Sequence, residues 1–169
     1  MKSRNNKLFK AIASPWVSLH HPDKYSYDEN IYHVNNGGCN SIFDNITVDV
    51  SGEIYSCCGL TIKEIPDFQI GNIDQLGTFQ KIYDFSNRLS VENLMKLWVY
   101  VDGPINIMKK VTEWDDAIKI PRLAHQCLFC KLIFTDKHIK KVISENISTI
   151  STQIVDRYNS KVEFFNQFV

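Results

Sequence analysis

Five cysteines constrain this chain more than any other feature. They are Cys39, Cys57, Cys58, Cys127 and Cys130. Cys39 and Cys57 frame a Cys-x12-Gly-x4-Cys pattern with Gly52 inside it. Cys127 and Cys130 form Cys-x-x-Cys about seventy residues later. A spaced pair and a close pair, once gathered, set four thiolates around one metal centre. In Cys-x-x-Cys both sulfurs reach the centre from one tight turn. In Cys-x17-Cys a hairpin can return the chain to its starting point. Four thiolates suit tetrahedral zinc or an iron–sulfur cluster. Zinc ribbons usually carry a Cys-x-x-Cys at both knuckles, and the wider first pair here leans toward a cluster. His125, His20, His21 and His33 are available to a zinc site. Lone histidines are more often exposed or hydrogen-bonded, so they stay outside the ligand set.

The bulk of the chain is that of an ordinary globular protein. Its 169 residues fit one domain with a sizeable core. Lys plus Arg and Asp plus Glu each number 19, which gives no general attraction to nucleic acid or to an acidic membrane. No run of about 18 apolar residues is present to span a bilayer. The first twenty residues include Asn5, Asn6, Pro15 and His20 and contain no apolar leader core. A cytoplasmic location is expected, where clustered cysteines favour metal over disulfides. The sequons at Asn45 and Asn146 then carry no weight.

Along the chain, residues 1–36 read as an irregular N-terminal segment. Gly37 and Gly38 stand immediately before Cys39 and permit tight backbone paths. Ile46 to Val50 alternates apolar and polar, Ser51-Gly52 signals a turn, and Glu53 to Cys57 continues as a second strand. A two-residue turn would set Val50 opposite Glu53, Val48 opposite Tyr55 and Ile46 opposite Cys57. Alternation then turns Cys57 to the core and Cys58 away, so Cys57 is taken as the ligand and Cys58 as a spare. A third strand is expected to join the hairpin, which is marginal alone. Residues 59–73 read as an irregular excursion.

Helices are expected near 74–87, with Phe79, Ile82 and Tyr83 toward the core, and near 90–102, with Ser90 as N-cap. A third is expected over 104–113, opened by Pro104 after Gly103. Cys127 is expected on a loop. Ile139, Val142, Ile143, Ile147, Ile150, Ile154 and Tyr158 make one apolar stripe, which predicts a long C-terminal amphipathic helix over 136–169. That stripe packs on the protein's own core or docks another chain. The fold class expected is α+β: a small hairpin or sheet carries the metal site and helices cover it.

The cysteine frame, together with "ITVDVSGEIYSCCG", "FQIGNI", "LWVYVDGPINI" and "CLFCKLIF", resembles the C-terminal auxiliary-cluster region of radical SAM enzymes. This is the SPASM/twitch group, and the resemblance covers about residues 37–135. A SPASM domain continues past its Cys-x-x-Cys with further cysteines and holds two clusters. No cysteine follows Cys130, so the resemblance is to the shorter twitch form with one 4Fe–4S cluster. It implies Cys39, Cys57, Cys127 and Cys130 as cofactor and metal ligands, with Cys58 unligated. It further implies electron transfer or substrate positioning for a radical SAM catalytic chain, with a modified peptide as one substrate. The catalytic barrel of that family is expected to be absent, since 38 residues precede Cys39 and its cysteine motif is missing. No activity is expected from this chain alone.

Two other readings stand beside it. One is a zinc-stabilised protein-binding module, with the same four cysteines holding one zinc ion. The other is a globular domain with incidental buried cysteines, a common place for free cysteine. No nucleophile setting and no phosphate-binding glycine loop accompanies the cysteines.

Overall fold

The computed structural model describes residues 37–167 apart from 79, 83, 85–92 and 124. The irregular segment expected over 1–36, and Phe79, Tyr83 and the Ser90 cap, lie outside the described residues. The described chain is α+β. A three-stranded antiparallel sheet runs in the order β1 (Thr47–Val48), β2 (Glu53–Tyr55), β3 (Gln69–Asn72). Helices α1 (Ser41–Asp44), α2 (Ile73–Leu76), α3 (Leu94–Trp114), α4 (Gln126–Thr135), α5 (Lys137–Asn146) and α6 (Ser151–Asn166) accompany it. No helix among the described residues is long and apolar enough to cross a membrane.

The hairpin register differs from the expected one by one residue. Thr47 faces Tyr55 and Val48 faces Ile54, so the loop holds three residues rather than two. The Asp49 side chain sets this. Its Oδ1 accepts from Ser51 N at 2.8 Å, Ser51 Oγ at 2.6 Å and Glu53 N at 3.1 Å. Gly52 closes the loop at φ 80°, a conformation that costs glycine little. The shift leaves Val48 and Val50 exposed while Ile54 is fully buried. Strand β2 ends at Tyr55, so Cys57 is not cross-strand from Ile46. The stretch expected to be irregular supplies the third strand, β3, which pairs along β2 with a bulge between Ile54 and Tyr55.

The helix expected over 74–87 is interrupted. Gly77 ends α2 at φ 72°, and a second helical stretch includes 80–82 and the buried Ile82. Asn93, not Ser90, caps α3, its side chain accepting from Lys96 N. The two helices expected over 90–102 and 104–113 run together as α3, kinked where Gly103 sits at φ 76°, ψ 159° between its halves.

That kink is where Gly37 and Gly38 are seated. The proline has no N–H, so the Tyr100 carbonyl lacks its usual helical donor. Lys161 Nζ from α6 takes its place at 2.8 Å, and Asn106 Nδ2 donates to the Asp102 carbonyl at 2.9 Å. Gly38 lies directly on the Tyr100 and Val101 carbonyls. A Cβ there would come within 1.7 Å of Tyr100 O, and one on Gly103 within 2.3 Å of Gly37 O. Cys39 N then donates to Val99 O at 2.9 Å.

The single C-terminal helix expected over 136–169 is two helices joined by a 3-10 turn over Ile147–Thr149. Asn, Ser and Thr cluster there and bond the local backbone in competition with the helix. Asn146 Nδ2 donates to Val142 O, Thr149 Oγ1 to Asn146 O and Ser151 Oγ to Ser148 O. The apolar stripe survives the break. Ile139, Val142, Ile143 and Ile154 are buried, and Ile147, Ile150 and Tyr158 pack half-buried against the same core as Trp98, Met108, Phe129 and Ile133. The stripe packs on the chain's own core.

Gly38→Ala is therefore expected to cost about 3 kcal/mol of unfolding free energy, the scale of a forced backbone clash. Gly37→Ala, whose Cβ would meet nothing within 4 Å, should cost less than about 1 kcal/mol. Urea unfolding followed by tryptophan fluorescence reads both, and equal losses would contradict the close approach at Gly38.

Candidate metal centre

The cysteines reach one place from three directions. Cys39 lies between the kink of α3 and the start of α1. Cys57 follows β2, two residues after its end. Cys127 and Cys130 sit on the first turns of α4, three residues apart and so on one helix face. The expected loop at Cys127 is a helix because His125 caps it. His125 Nδ1 accepts the Cys127 N–H at 3.1 Å. Burial pushes the His125 pKa down, which keeps that nitrogen an acceptor. The sequence left His125 out of the ligand set, and here its ring nitrogen holds a ligand candidate's backbone instead.

The four predicted ligands lie near one another. All six pairs among Cys39, Cys57, Cys127 and Cys130 are near enough for their thiolates to repel. Cys58 joins Cys39, Cys57 and Cys127 in this but not Cys130, and its side chain is exposed. Cys57 and Cys130 are buried, and Cys39 and Cys127 are half-buried. Alternation along β2 predicted the difference between Cys57 and Cys58, although the register behind that argument was wrong. Among the described residues no group of three or more His, Cys, Asp or Glu side chains is arranged to hold a metal ion. All five cysteines are free thiols.

Gly59 makes the convergence feasible. A Cβ on it would stand 3.1 Å from Cys127 Sγ and 3.3 Å from Cys57 Sγ. The two sulfurs therefore flank bare backbone, which a side chain would crowd. Thr61 Oγ1 donates to Cys127 O at 2.9 Å and ties this loop to α4. Neither residue was singled out from sequence. The one available signal was a glycine directly after the paired cysteines.

A backbone donor points at one of the sulfurs. Gly59 N donates to Cys57 Sγ at 3.2 Å. The Leu60 backbone lowers the Cys127 pKa, and the backbone of Ser41 and Ile42 and the Ser41 side chain lower that of Cys39. Such bonds favour thiolate over thiol. Burial outweighs them. Desolvation pushes the Cys57 pKa up to about 12, raises those of Cys39 and Cys127, and carries that of Cys130 well above its ordinary 9.0. Without metal the four thiols hold their protons. A metal that takes them as thiolates releases those protons, so affinity rises with pH.

Comparison with protein-family models, with curated proteins and with solved structures finds no match to this chain.

Two outcomes are expected for the metal-free protein. The unfolded state gives up the Cys57 proton near pH 9.0, and the folded state only near 12. Below pH 9 both states hold it. Above pH 9 the unfolded state binds fewer protons, so stability falls as pH rises toward 12. Urea midpoints between about pH 8 and 11 should decline, and decline less in Cys57→Ala. A profile unchanged by that substitution would contradict the shift. Under native conditions near pH 8, mass spectrometry should find Cys58 alkylated first and Cys57 and Cys130 last. Uniform rates would contradict the burial order.

Proposed function

We propose that this chain is a one-cluster 4Fe–4S domain held by Cys39, Cys57, Cys127 and Cys130. It serves electron transfer or substrate positioning for a separate catalytic chain. The observation that carries the reading is the approach of Cys57 and Cys127 across Gly59, with Cys39 and Cys130 near enough to act on both. They come from segments up to 91 positions apart in a chain of 169.

The donor set fits such a group chemically. Four sulfurs with a backbone N–H donated to one of them, that of Cys57, make a donor set of the kind that favours thiolate-ligated iron. When bound, the cluster supplies one-electron storage. The chain's part is to hold four thiolates, exclude water from Cys57 and Cys130, and place a hydrogen bond on the Cys57 sulfur. With all four irons ligated by cysteine there is no open iron site, so electron transfer or a structural role is favoured over direct substrate ligation. The resemblance to radical SAM auxiliary domains names the partner class, a radical SAM catalytic chain, and a peptide as one substrate. Both come from sequence likeness alone. The alternative with a single zinc ion uses the same four sulfurs.

Anaerobic reconstitution with iron and sulfide tests this. About four irons and four sulfides per chain and a broad absorption near 400 nm are expected. Cys130→Ser should abolish both, and Cys58→Ser should leave both intact. One zinc without visible colour would assign the binding-module reading, and no metal at all would remove both.

A further inference from the structure

Two free thiols meet across bare backbone. A Cβ on Gly59 would stand 3.1 Å from Cys127 Sγ and 3.3 Å from Cys57 Sγ. Both sulfurs therefore border the space that a side chain at Gly59 would take, and glycine leaves that space open. The segments that carry them are held. Gly59 N donates to Cys57 Sγ at 3.2 Å. Thr61 Oγ1, two residues further on, donates to Cys127 O at 2.9 Å. His125 Nδ1 accepts the Cys127 N–H at 3.1 Å. The loop after β2 and the first turn of α4 are thus tied together beside the sulfur pair.

The chemistry open to two neighbouring thiols, with no third group needed, is a disulfide. Its sulfurs stand about 2 Å apart. Two sulfurs within 3.3 Å of one point are brought to that distance by rotation about their own Cα–Cβ bonds. The two thiols differ in access. Cys57 is 6% exposed and Cys127 is half-buried, so an oxidant from solvent meets Cys127 first.

We propose that Cys57 and Cys127 are a redox-sensitive pair that closes into a disulfide when the metal-free chain meets hydrogen peroxide. Cys127 Sγ attacks the peroxide, the O–O bond breaks, and a sulfenic acid and one water form. Cys57 Sγ then attacks that sulfur, the S–O bond breaks, and a second water leaves. Each thiol gives up one proton, and two electrons in all pass to the peroxide. The new bond locks the loop after β2 to α4 and withdraws both sulfurs from any metal. The inference does not rest on the cluster reading: it uses two sulfurs and no iron.

The test is mild oxidation of the reduced full chain by hydrogen peroxide, with a chelator present. It is run in the parent protein and in Cys58→Ser, which removes the exposed thiol as a competitor. After denaturation the oxidised Cys58→Ser chain should have lost two thiols, and tandem mass spectrometry of its peptides should join Cys57 to Cys127. Dithiothreitol should restore both thiols. Adding Cys127→Ser should abolish the bond, and adding Cys39→Ser or Cys130→Ser should leave it. Oxidation in urea, where no fold gathers the sulfurs, should scatter the bonds among the cysteines. An unchanged thiol count, a bond to Cys39 or Cys130 in place of this one, or the same distribution with and without urea would overturn the proposal. The peptide map of the parent chain gives this answer even where a further variant fails to fold. Its failure leaves iron reconstitution untouched, and a chain that takes up no iron leaves this pair standing.

Discussion

The contact on which the site depends is one of backbone against backbone. Gly38 lies on the carbonyls of Tyr100 and Val101 where α3 kinks at Gly103 and Pro104. A proline in a helix leaves a carbonyl without its donor, and this chain uses the gap. Lys161 reaches from α6 to Tyr100 O and also to Asn40 Oδ1 at 2.7 Å, with its ammonium 3.8 Å from the centroid of the Tyr100 ring. One side chain thus ties the C-terminal helix, the kinked helix and the residue after Cys39. Without the kink, Cys39 would have no fixed approach to the other three cysteines.

Electrostatics then sets what the site can do. Burial keeps the thiols neutral in the metal-free state, which avoids the cost of clustered buried charge. The N–H group of Gly59 is already placed for the charged state. The fold carries part of the solvation that thiolates would need. Such an arrangement suits anionic ligands made only when metal binds.

The residue pattern gave away the α+β class and the break at Gly103 and Pro104, because these rest on strong local signals. A Gly-Pro pair interrupts a helix whatever surrounds it. The hairpin register did not follow, since Asp49 takes three donors and forces a three-residue loop that alternation alone cannot reveal. The C-terminal stripe was right in its periodicity and wrong in its continuity, because side-chain bonds at Asn146, Thr149 and Ser151 act locally beneath an unbroken apolar pattern. Lys96 was hidden in an otherwise amphipathic helix. A lysine is ordinarily taken as a solvent-facing residue, and only packing shows its head against Ser56.

The most direct measurement of the central claim is a Mössbauer spectrum of protein reconstituted anaerobically with enriched iron. Four cysteine thiolates on one cluster predict a diamagnetic 4Fe–4S signal whose irons all have sulfur ligation. That signal should be lost in Cys39→Ser as completely as in Cys130→Ser. A spectrum of mononuclear iron, or one left unchanged by Cys39→Ser, would contradict a site built from both halves of the chain.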